Sequence, residues 1–443
     1  MSTADTQTIP GSAAAATASA AGGDAEEAGI LIIGANQSGV QLAISLRAAG
    51  NTEKITLLSE EDHRPYQRPA LSKEFLQGKI DKERLIFRSN EYWQDHNIHL
   101  VKGVRIDHIE KNPDGSGIAT GGGRSFAFTR LALAVGARPR RLDIPGADLE
   151  GVTYLRNADD VLALKALIQG VEDAVVIGGG FIGLETACSL HGLGKNVTVL
   201  EHGPRLIGRA VGEETADFFL QHHRKNGIDI VLNSRIKQFV GDGATVTGVE
   251  LEDGTVIDTQ LVIVGIGVIP NTELAEKMGL DIDNGIVVDS HAVASDGTTI
   301  AIGDVANTPN PIPGSPADER IRLESVNNAI EHAKIAAFSL VGKPEAYAGI
   351  PWFWSNQGDL KLQIAGFTLG YDHTVVRADE KKNKFSVLYY RDGQIVAADC
   401  INAPLDFMTV RSALAKDQNI PAELAADPAQ QLKKLAVNVE VAS

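Results

Sequence analysis

The chain has 443 residues, of which 43% are hydrophobic and 22% charged, and its formal net charge is −16. Its length suggests about three domains, and its composition is that of a globular protein rather than a disordered chain. The acidic balance argues against nucleic acid as a partner, because neutralising phosphates requires clustered Lys and Arg.

The cysteine count and the chain's first residues narrow the class further. Only Cys188 and Cys400 occur, far apart, so we expect neither a disulfide framework nor a metal site, and a reducing, cytoplasmic compartment. No apolar run approaches the ~20 residues of a spanning helix, so no membrane insertion is expected. Residues 1–29 lack the basic start of a signal peptide and are predicted to be a disordered tail.

The first ordered segment is predicted to be a strand, a glycine turn, a helix and a second strand, over 30–33, 34–39, 40–46 and 55–58. Gly34 and Gly39 hold two positions of a G-x-G-x-x-G turn, and Asn36 replaces the middle glycine. Asn tolerates unusual backbone angles, but its side chain narrows the approach to a pyrophosphate. Glu60 follows the second strand, where a carboxylate can bind a ribose. The pattern predicts a dinucleotide site that is weakened or displaced.

The same order recurs further along the chain, with strands over 174–177 and 197–200 around a helix that ends near Leu190. Here the turn keeps all three glycines, Gly178, Gly180 and Gly183, with Ile182 at the helix start. The glycines permit a tight turn, close approach of a pyrophosphate and helix–strand packing, while the helix N-terminus favours an anion.

A carboxylate at the end of the following strand bears on the choice of nucleotide. Glu201 lies about 20 residues past the middle glycine, where it can bind a ribose 2′-hydroxyl and repel a 2′-phosphate. Arg205 lies close enough to receive such a phosphate instead. We therefore favour NADH, with NADPH as the alternative.

The segments around these two units predict how the chain is divided. A strand over 131–135 leaves the first unit, and a strand over 299–304 suggests a return to it, whereas the residues after Tyr347 form strand-rich hairpins. The predicted fold class is α/β, with two Rossmann-like dinucleotide-binding domains and a C-terminal α+β domain. We assign 30–150 with 268–345 to the first dinucleotide-binding domain, 151–267 to the second and 346–443 to the C-terminal domain.

Several stretches together resemble one enzyme family, and the resemblance runs from about Ile30 to Ala403. The most specific is Pro65-Tyr66-Gln67-Arg68-Pro69-Ala70-Leu71-Ser72-Lys73. Others lie at 134–140, 178–185, 265–271, 303–304, 324–329 and 351–355. The chain resembles the FAD-dependent NADH:ferredoxin reductases of oxygenase systems, related to putidaredoxin and rubredoxin reductases and to apoptosis-inducing factor. It departs from the family pattern at Asn36 and at Val135, where threonine is usual.

The resemblance implies a glutathione-reductase-like arrangement, with an FAD-binding first domain, an NAD-binding second domain and a C-terminal reductase domain. It implies hydride transfer from NADH in the second domain to FAD in the first. It implies that Lys73 lies near the flavin N5 edge, paired with Glu185, and we take these two as the catalytic residues. The implied FAD-binding residues are Gly34, Asn36, Gly39, Glu60, Arg68, Lys73, Ala134, Arg138, Asp304, Val326 and Trp354. The implied NADH-binding residues are Gly178, Gly180, Ile182, Gly183 and Glu201.

The implied acceptor is a small iron–sulfur ferredoxin of a Rieske oxygenase or cytochrome P450 system. Because such ferredoxins are commonly acidic, we expect a basic surface near the flavin, with Arg64, Arg320, Arg322 and Lys361 as candidates. The chain is expected to be a monomer or a homodimer.

Other functions remain open at this point. An NADH oxidase or a monodehydroascorbate-type reductase could use the same fold. A redox-sensing NADH-binding interaction protein, or a scaffold that has lost FAD, could keep the fold without this turnover. A disulfide reductase is excluded, because the chain has no paired redox cysteines.

Overall fold

The computed structural model describes residues 25–311, 316, 318–347 and 349–438. The first α/β unit contains β1 (Glu26–Ile33), α1 (Gln37–Ala48), β2 (Ile55–Leu58), α2 (Asn90–Asp95), β3 (Ile98–Val101), β4 (His108–Lys111), β5 (Gly117–Gly121), β6 (Arg124–Leu133) and β7 (Ala137–Pro139). Its sheet has the order β3-β2-β1-β6-β5-β4. The first four strands in that order are parallel, and β5 and β4 extend the sheet antiparallel. The predicted strand–turn–helix–strand order is confirmed.

The start of the first strand corrects the predicted tail. Strand β1 begins at Glu26, so Glu26–Gly29 are ordered, and residues 1–24 lie outside the described part of the chain. The Arg124 guanidinium donates to both carboxylate oxygens of Glu26, each at 2.9 Å, and Glu26 lies opposite Phe126 in the sheet. This pairing joins distant parts of the chain, so local composition does not reveal it.

The second α/β unit follows the same plan. It contains β8 (Val152–Tyr154), α3 (Ala158–Leu167), β9 (Asp173–Ile177), α4 (Phe181–Gly192), β10 (Asn196–Leu200), α5 (Glu213–Lys225), β11 (Asp229–Val231), β12 (Ile236–Gly241), β13 (Val246–Leu251), β14 (Val256–Asp258) and β15 (Leu261–Val264). Strands β11-β10-β9-β15-β8 form a parallel sheet, as predicted for a nucleotide-binding unit. Strands β12, β13 and β14 form a separate antiparallel sheet.

The chain then returns to the first unit. The returning segment contains β16 (Val268–Pro270), α6 (Glu273–Lys277), β17 (Ile286–Val287), β18 (Ile300–Ala301), β19 (Ala306–Pro309), β20 (Arg320–Ile321) and α7 (Val326–Leu340). Strand β16 pairs with β7, and β18 joins the first sheet beside β6. Helix α7 packs against α1. The predicted return of the strand around Ile300 is confirmed.

The C-terminal unit is an antiparallel sheet covered by a helix. It contains β21 (Trp352–Gln357), β22 (Leu360–Gly366), β23 (His373–Asp379), β24 (Lys384–Arg391), β25 (Gln394–Ile401), α8 (Pro404–Ala415), β26 (Gln418–Asn419), α9 (Ala422–Ala425) and β27 (Val437–Asn438). The sheet order is β21-β22-β25-β24-β23. The predicted hairpin between β24 and β25 is present, and its turn places Asp392 and Gly393 at φ values of 51° and 73°. Positive φ at both turn residues matches the twist of a two-residue hairpin.

Short helical turns lie between these elements, at Arg68–Ala70, Leu71–Phe75, Glu83–Leu85, Ile168–Gly170, Gly303–Val305, Glu380–Lys382 and Leu432–Lys434. One hydrophobic core joins all three units: Leu71 and Phe75 of the first, Leu184 of the second and Leu362 of the third belong to the same buried cluster. The units therefore pack as one body around the faces that meet there. None of the helices in the described part of the chain combines the length and apolar character needed to span a bilayer.

A buried acid lies where the second and third units meet. The Tyr389 hydroxyl donates to Asp399 Oδ2 at 2.5 Å and accepts from the Gly212 backbone N–H at 2.9 Å. Asp399 is fully buried, and its Oδ1 has no hydrogen-bond partner among the residues described. Burial raises the pKa of Asp399 to about 7. The protonated form of this carboxyl therefore suits the interface best.

We expect Asp399→Asn to remove a pH dependence of stability. Because the pKa of Asp399 is higher in the folded chain than in the unfolded chain, its contribution is full below about pH 4 and is lost as pH rises towards 7. The difference in unfolding free energy between wild type and variant should shift by about 2–4 kcal/mol between pH 4 and 8. Urea unfolding at both pH values measures it. Asp392→Asn, in an exposed turn, is the control, and an equal shift there would contradict the assignment.

Candidate functional site

The two catalytic candidates meet at the contact between the first two units. Lys73 lies in the helical turn Leu71–Phe75, and Glu185 lies on the second turn of α4. Lys73 Nζ is 2.5 Å from Glu185 Oε2, and the side chains are 12% and 4% exposed. An ion pair this buried is expensive to break, since removing one partner leaves a desolvated charge without compensation. The predicted pairing of these two residues is therefore present in the structure.

Two serines that sequence reasoning missed complete the surroundings of this carboxylate. The Ser72 hydroxyl donates to Glu185 Oε2 at 2.6 Å, and the Ser355 hydroxyl on β21 donates to Oε1 at 2.8 Å. The second unit thus supplies the carboxylate, and the first and third units supply its hydrogen-bond donors. The stretches 65–73 and 351–355 both contain one of these serines, so the signal was present in the sequence but carried no assigned role.

The glycine turn of the second unit leaves space for a ligand. A Cβ on Gly178 would lie 2.5 Å from Gly265 O, and a Cβ on Gly183 would lie 2.0 Å from Gly178 O. Close packing therefore requires glycine at both positions. A Cβ on Gly180 would meet nothing within 4 Å. No side chain caps α4 at Gly180, and Ile182 is 48% exposed beside it. The open face and the uncapped helix N-terminus fit a pyrophosphate.

Glu201 lies over this turn. Its carboxylate accepts from the backbone N–H groups of Gly179 and Gly203, each at 2.6 Å. Arg205, the residue that complicated the choice of nucleotide, lies 3.8 Å from Glu213 and donates to Gly208 O at 3.5 Å. The carboxylate at the strand end is therefore fixed by the turn, while the arginine is engaged elsewhere.

The glycine turn of the first unit differs in one respect. A Cβ on Gly34 would lie 2.2 Å from Ala134 O, and one on Gly39 would lie 1.9 Å from Gly34 O. Asn36 has an ordinary extended backbone with φ −97°, so its tolerance of unusual angles is not used here. Its side chain caps α1 by accepting from Ser38 N and Gly39 N, and it donates to Ala134 O at 2.5 Å. Asn36 thus occupies the space that a middle glycine leaves open.

The two carboxylates after β2 face different ways. Glu60, the predicted ribose ligand, is 65% exposed and pairs with Arg105 at 3.0 Å. Glu61 instead accepts from the Tyr66 hydroxyl at 2.5 Å and pairs with Arg68. Sequence reasoning chose the residue at the strand end, but only Glu61 contacts the predicted cofactor residue Arg68.

A cluster of charged side chains surrounds the turn that carries Asp304. Arg156 Nη2 lies 3.4 Å from Asp304 Oδ2, and Arg68 donates to Arg156 O at 2.6 Å. Burial, and next the nearby Arg68 cation, lowers the pKa of Arg156. Arg156 was missed, because a single arginine after a strand has no distinguishing pattern. Two arginines held close together in a partly buried place fit an anionic group such as a pyrophosphate.

The first turns of α1 and α7 lie beside the same Asp304 turn. A Cβ on Gly303 would lie 2.8 Å from Ser38 Oγ and 3.9 Å from the Ala329 Cβ. Val326 is the first residue of α7, and Ser325 caps that helix. Asn328 Oδ1 in the first turn of α7 is buried with no partner among the residues described. Two helix N-termini and an unused acceptor fit the anionic and N–H-bearing parts of FAD.

The remaining FAD-binding candidates lie further out. Arg138 on β7 donates to Asn271 Oδ1 at 2.9 Å and lies 2.6 Å from Glu273. Trp354 lies on β21 with its ring centroid 5.4 Å from that of Trp352. Trp352 itself packs on Phe407 and lies under the Arg411 guanidinium, so it belongs to the C-terminal unit's core. The contacts of Arg138 and Trp354 alone do not assign either to a cofactor.

Three of the four candidates for a basic docking surface are already paired. Arg64 pairs with Glu83. Arg320 donates to the backbone oxygens of Val288 and Asn307, and Arg322, 9% exposed, pairs with Glu324. Arg320 and Arg322 therefore hold their own surroundings together, and a basic docking surface that includes them stays a prediction. Lys361 is exposed.

Comparison with known proteins gives concordant matches. Residues 28–333 match the family model of pyridine nucleotide-disulphide oxidoreductases, and residues 352–436 match that of the reductase C-terminal domain. A ferredoxin–NAD(P)(+) reductase from Sphingomonas sp is 40% identical over 86% of this chain and 91% of its own length. Rhodocoxin reductase from Rhodococcus erythropolis is 39% identical, covering 91% and 93%.

Solved structures of similar proteins match over most of the chain. The ferredoxin reductase for the CYP199A2 system from Rhodopseudomonas palustris has a TM-score of 0.87 at 39% identity, covering 92% of this chain and 100% of that chain. The covalent putidaredoxin reductase–putidaredoxin complex has a TM-score of 0.86 at 33% identity, covering 92% and 98%. The predicted resemblance and fold class are confirmed.

Proposed function

The chain belongs to the pyridine nucleotide-disulphide oxidoreductase family, within which it is similar to ferredoxin reductases, and we propose that it carries electrons from NADH through FAD to a ferredoxin-type iron–sulfur protein of an oxygenase system. The observation that carries the proposal is the buried Lys73–Glu185 pair, which lies where the two nucleotide-binding units meet. The family's name refers to disulfides, but this chain has only two cysteines, and both are free. Chemistry through a cysteine pair is therefore not proposed.

We assign the two nucleotides to the two glycine turns. The open face at Gly180 and the carboxylate of Glu201 support NADH in the second unit. The cluster of Arg68, Arg156 and Asp304 beside the first turn of α7 supports FAD in the first. Because Asn36 puts a side chain on the first turn, we propose that the FAD pyrophosphate lies towards the arginines. The domain boundaries inferred from the sequence, 30–150 with 268–345, 151–267 and 346–443, follow this assignment.

Bound FAD supplies the chemistry that side chains lack, because it accepts hydride from NADH and releases electrons singly to an iron–sulfur centre. The protein's own groups position the rings and set the charge around them. Lys73 provides a fixed cation at the contact of the two units, and Glu185 restrains it. Hydride transfer requires no side chain as a nucleophile, so we propose no catalytic triad.

Anaerobic titration of the purified protein with NADH tests the proposal. We expect a flavin absorption spectrum that bleaches with about one equivalent of NADH, followed by reoxidation when a ferredoxin is added. A colourless protein that does not take up added FAD would overturn it. Fast reoxidation by oxygen or monodehydroascorbate, with no response to any ferredoxin, would favour the oxidase or monodehydroascorbate-type alternative. Spectral change on NADH binding without turnover would favour the redox-sensing alternative.

The fixed carboxylate at Glu201 predicts the nucleotide preference. We expect Glu201→Gln to reduce the ratio of kcat/KM for NADH to that for NADPH by about tenfold or more, because the 2′-phosphate no longer meets a negative charge. The amide oxygen can still accept a hydrogen bond from the turn. Steady-state kinetics with both nucleotides measure the ratio. Glu172→Gln, an exposed acid at the opposite end of β9 from the glycine turn, is the control, and the idea fails if both variants leave the ratio equally unchanged.

The cellular compartment is proposed from the state of the cysteines. Two unpaired thiols are compatible with a reducing compartment, and we propose the cytoplasm.

A further inference from the structure

A row of side chains extends from the Glu185 oxygen that does not contact Lys73. Its members are Ser355, Gln357, His223 and Cys188. Ser355, which donates to Glu185 Oε1, lies two residues from Gln357 on β21, so both side chains point to the same face of the sheet. Gln357 Nε2 lies 3.2 Å from Ser355 Oγ. Both residues are almost completely buried.

The row continues into the second unit. Gln357 Oε1 lies 2.8 Å from Nε2 of His223 on α5, and His223 Nδ1 lies 3.7 Å from Sγ of Cys188. Cys188 is on α4, about one turn beyond Glu185, so the row starts and ends on the same helix. The row links α4, β21 and α5. No role was predicted from the sequence for the four side chains beyond Glu185.

The donors and acceptors of this row are fixed by the carboxylate at its end. A carboxylate can only accept hydrogen bonds, so the Ser355 hydroxyl must donate its single hydrogen to Glu185 Oε1. Ser355 Oγ then accepts from the Gln357 amide N–H, which turns the amide oxygen towards His223. The hydrogen of a neutral imidazole must therefore be on Nε2, which leaves Nδ1 to accept from the Cys188 thiol.

The surroundings keep the two titratable members of the row neutral. Burial lowers the pKa of His223, although its hydrogen bond with Gln357 opposes this. Burial raises the pKa of the Cys188 thiol to about 12, and the Glu185 charge adds to the effect. Each member of the row consequently donates to the next, in the order Cys188, His223, Gln357, Ser355 and Glu185.

We propose that Ser355, Gln357 and His223 are positioning residues that hold the Glu185 carboxylate in one orientation and fix its Oε2 on Lys73. The inference rests on the proposed function, because that function requires the Lys73 cation to stay where the two nucleotides meet. Without the Ser355 hydroxyl, Oε1 would be a buried charged acceptor with no donor. The carboxylate would then rotate to find a donor for Oε1, and Lys73 would lose its fixed partner.

The first measurement tests the row itself and does not depend on turnover. ¹⁵N NMR of histidine-labelled protein distinguishes the two neutral tautomers and the cation. The His223 signals are identified by their loss in His223→Gln. We expect a neutral ring protonated on Nε2 at pH 7. A ring protonated on Nδ1, or a cation, would overturn the proposal.

The second measurement uses stopped-flow reduction of the FAD-loaded protein by NADH. We expect Ser355→Ala and His223→Leu to slow the limiting reduction rate about tenfold, with the NADH dissociation constant changed by less than about twofold. His223→Gln, whose amide N–H can replace Nε2–H, should restore most of the rate. His222→Leu is the matched control, because His222 pairs with Asp359 outside the row and should leave the rate unchanged.

The outcomes separate the inference from the proposed function. A wild-type protein that NADH does not reduce would contradict the proposed function. Normal wild-type reduction, with His223→Leu and His222→Leu equally fast, would overturn the inference alone. If His223→Leu and His223→Gln are equally slow, the ring is needed only for packing, and the inference is again overturned.

Discussion

Lys73→Met is expected to lower the rate constant of flavin reduction by NADH by about 100-fold, because it removes the fixed cation at the contact of the nucleotide-binding units. Methionine has a similar length and keeps the packing, so the charge is the main change. The variant should also unfold about 3–5 kcal/mol more easily, since Glu185 stays buried without its partner. Stopped-flow kinetics and urea unfolding measure the two effects.

The double variant Lys73→Met with Glu185→Gln separates these effects. Removing both charges should recover most of the lost stability, because no uncompensated ion remains in the interior. The reduction rate should stay low, since the cation is still missing. A Lys73→Met protein that NADH reduces within about threefold of the wild-type rate would contradict a catalytic role for this lysine.

Gly180→Asn is expected to weaken NADH binding by about 30-fold or more while leaving the fold intact. A Cβ at this position meets no neighbouring atom within 4 Å, and the backbone φ of −81° suits any residue. Asparagine is a good N-cap, so α4 should lose no stability. The new side chain would instead reach the face where the pyrophosphate is proposed to approach. Titration with NADH measures affinity, and thermal unfolding measures stability.

Gly183→Ala provides the contrast to this variant. Its Cβ would lie 2.0 Å from the backbone oxygen of Gly178, so helix and strand would have to separate. We expect a clear loss of stability at Gly183 and none at Gly180. Unchanged NADH affinity in a stable Gly180→Asn protein would show that the nucleotide does not pass over this turn.

The parts of the fold that follow from local sequence could be predicted well. The glycine turns, with Gly178 and Gly183 packed against backbone, and the hairpin at Asp392 and Gly393 need particular residues at fixed spacings. Strand β1 begins earlier than predicted, because the Glu26–Arg124 pair depends on a residue far along the chain.

The candidate site was only partly accessible in this way. Lys73 and Glu185 could be paired through the family resemblance, but the hydrogen bonds of Ser72 and Ser355 to Glu185 require three separately folded segments to meet. At the end of β2, periodicity cannot decide which of two adjacent acids turns inward, and the structure places Glu61 against Arg68. The sequence predicted that the Asn36 side chain narrows the approach to a pyrophosphate, but it did not reveal that this side chain caps α1.

The hydrophobic cluster that includes Leu71, Leu184 and Leu362 has a consequence for engineering. Exchanging C-terminal segments between relatives, in order to redirect electrons to a different acceptor, would cut through this cluster and leave mismatched apolar surfaces on both pieces. A working chimera has to carry the complementary side chains of the nucleotide-binding portion along with the transplanted sheet. The C-terminal sheet and the core of the nucleotide-binding units are consequently inherited together.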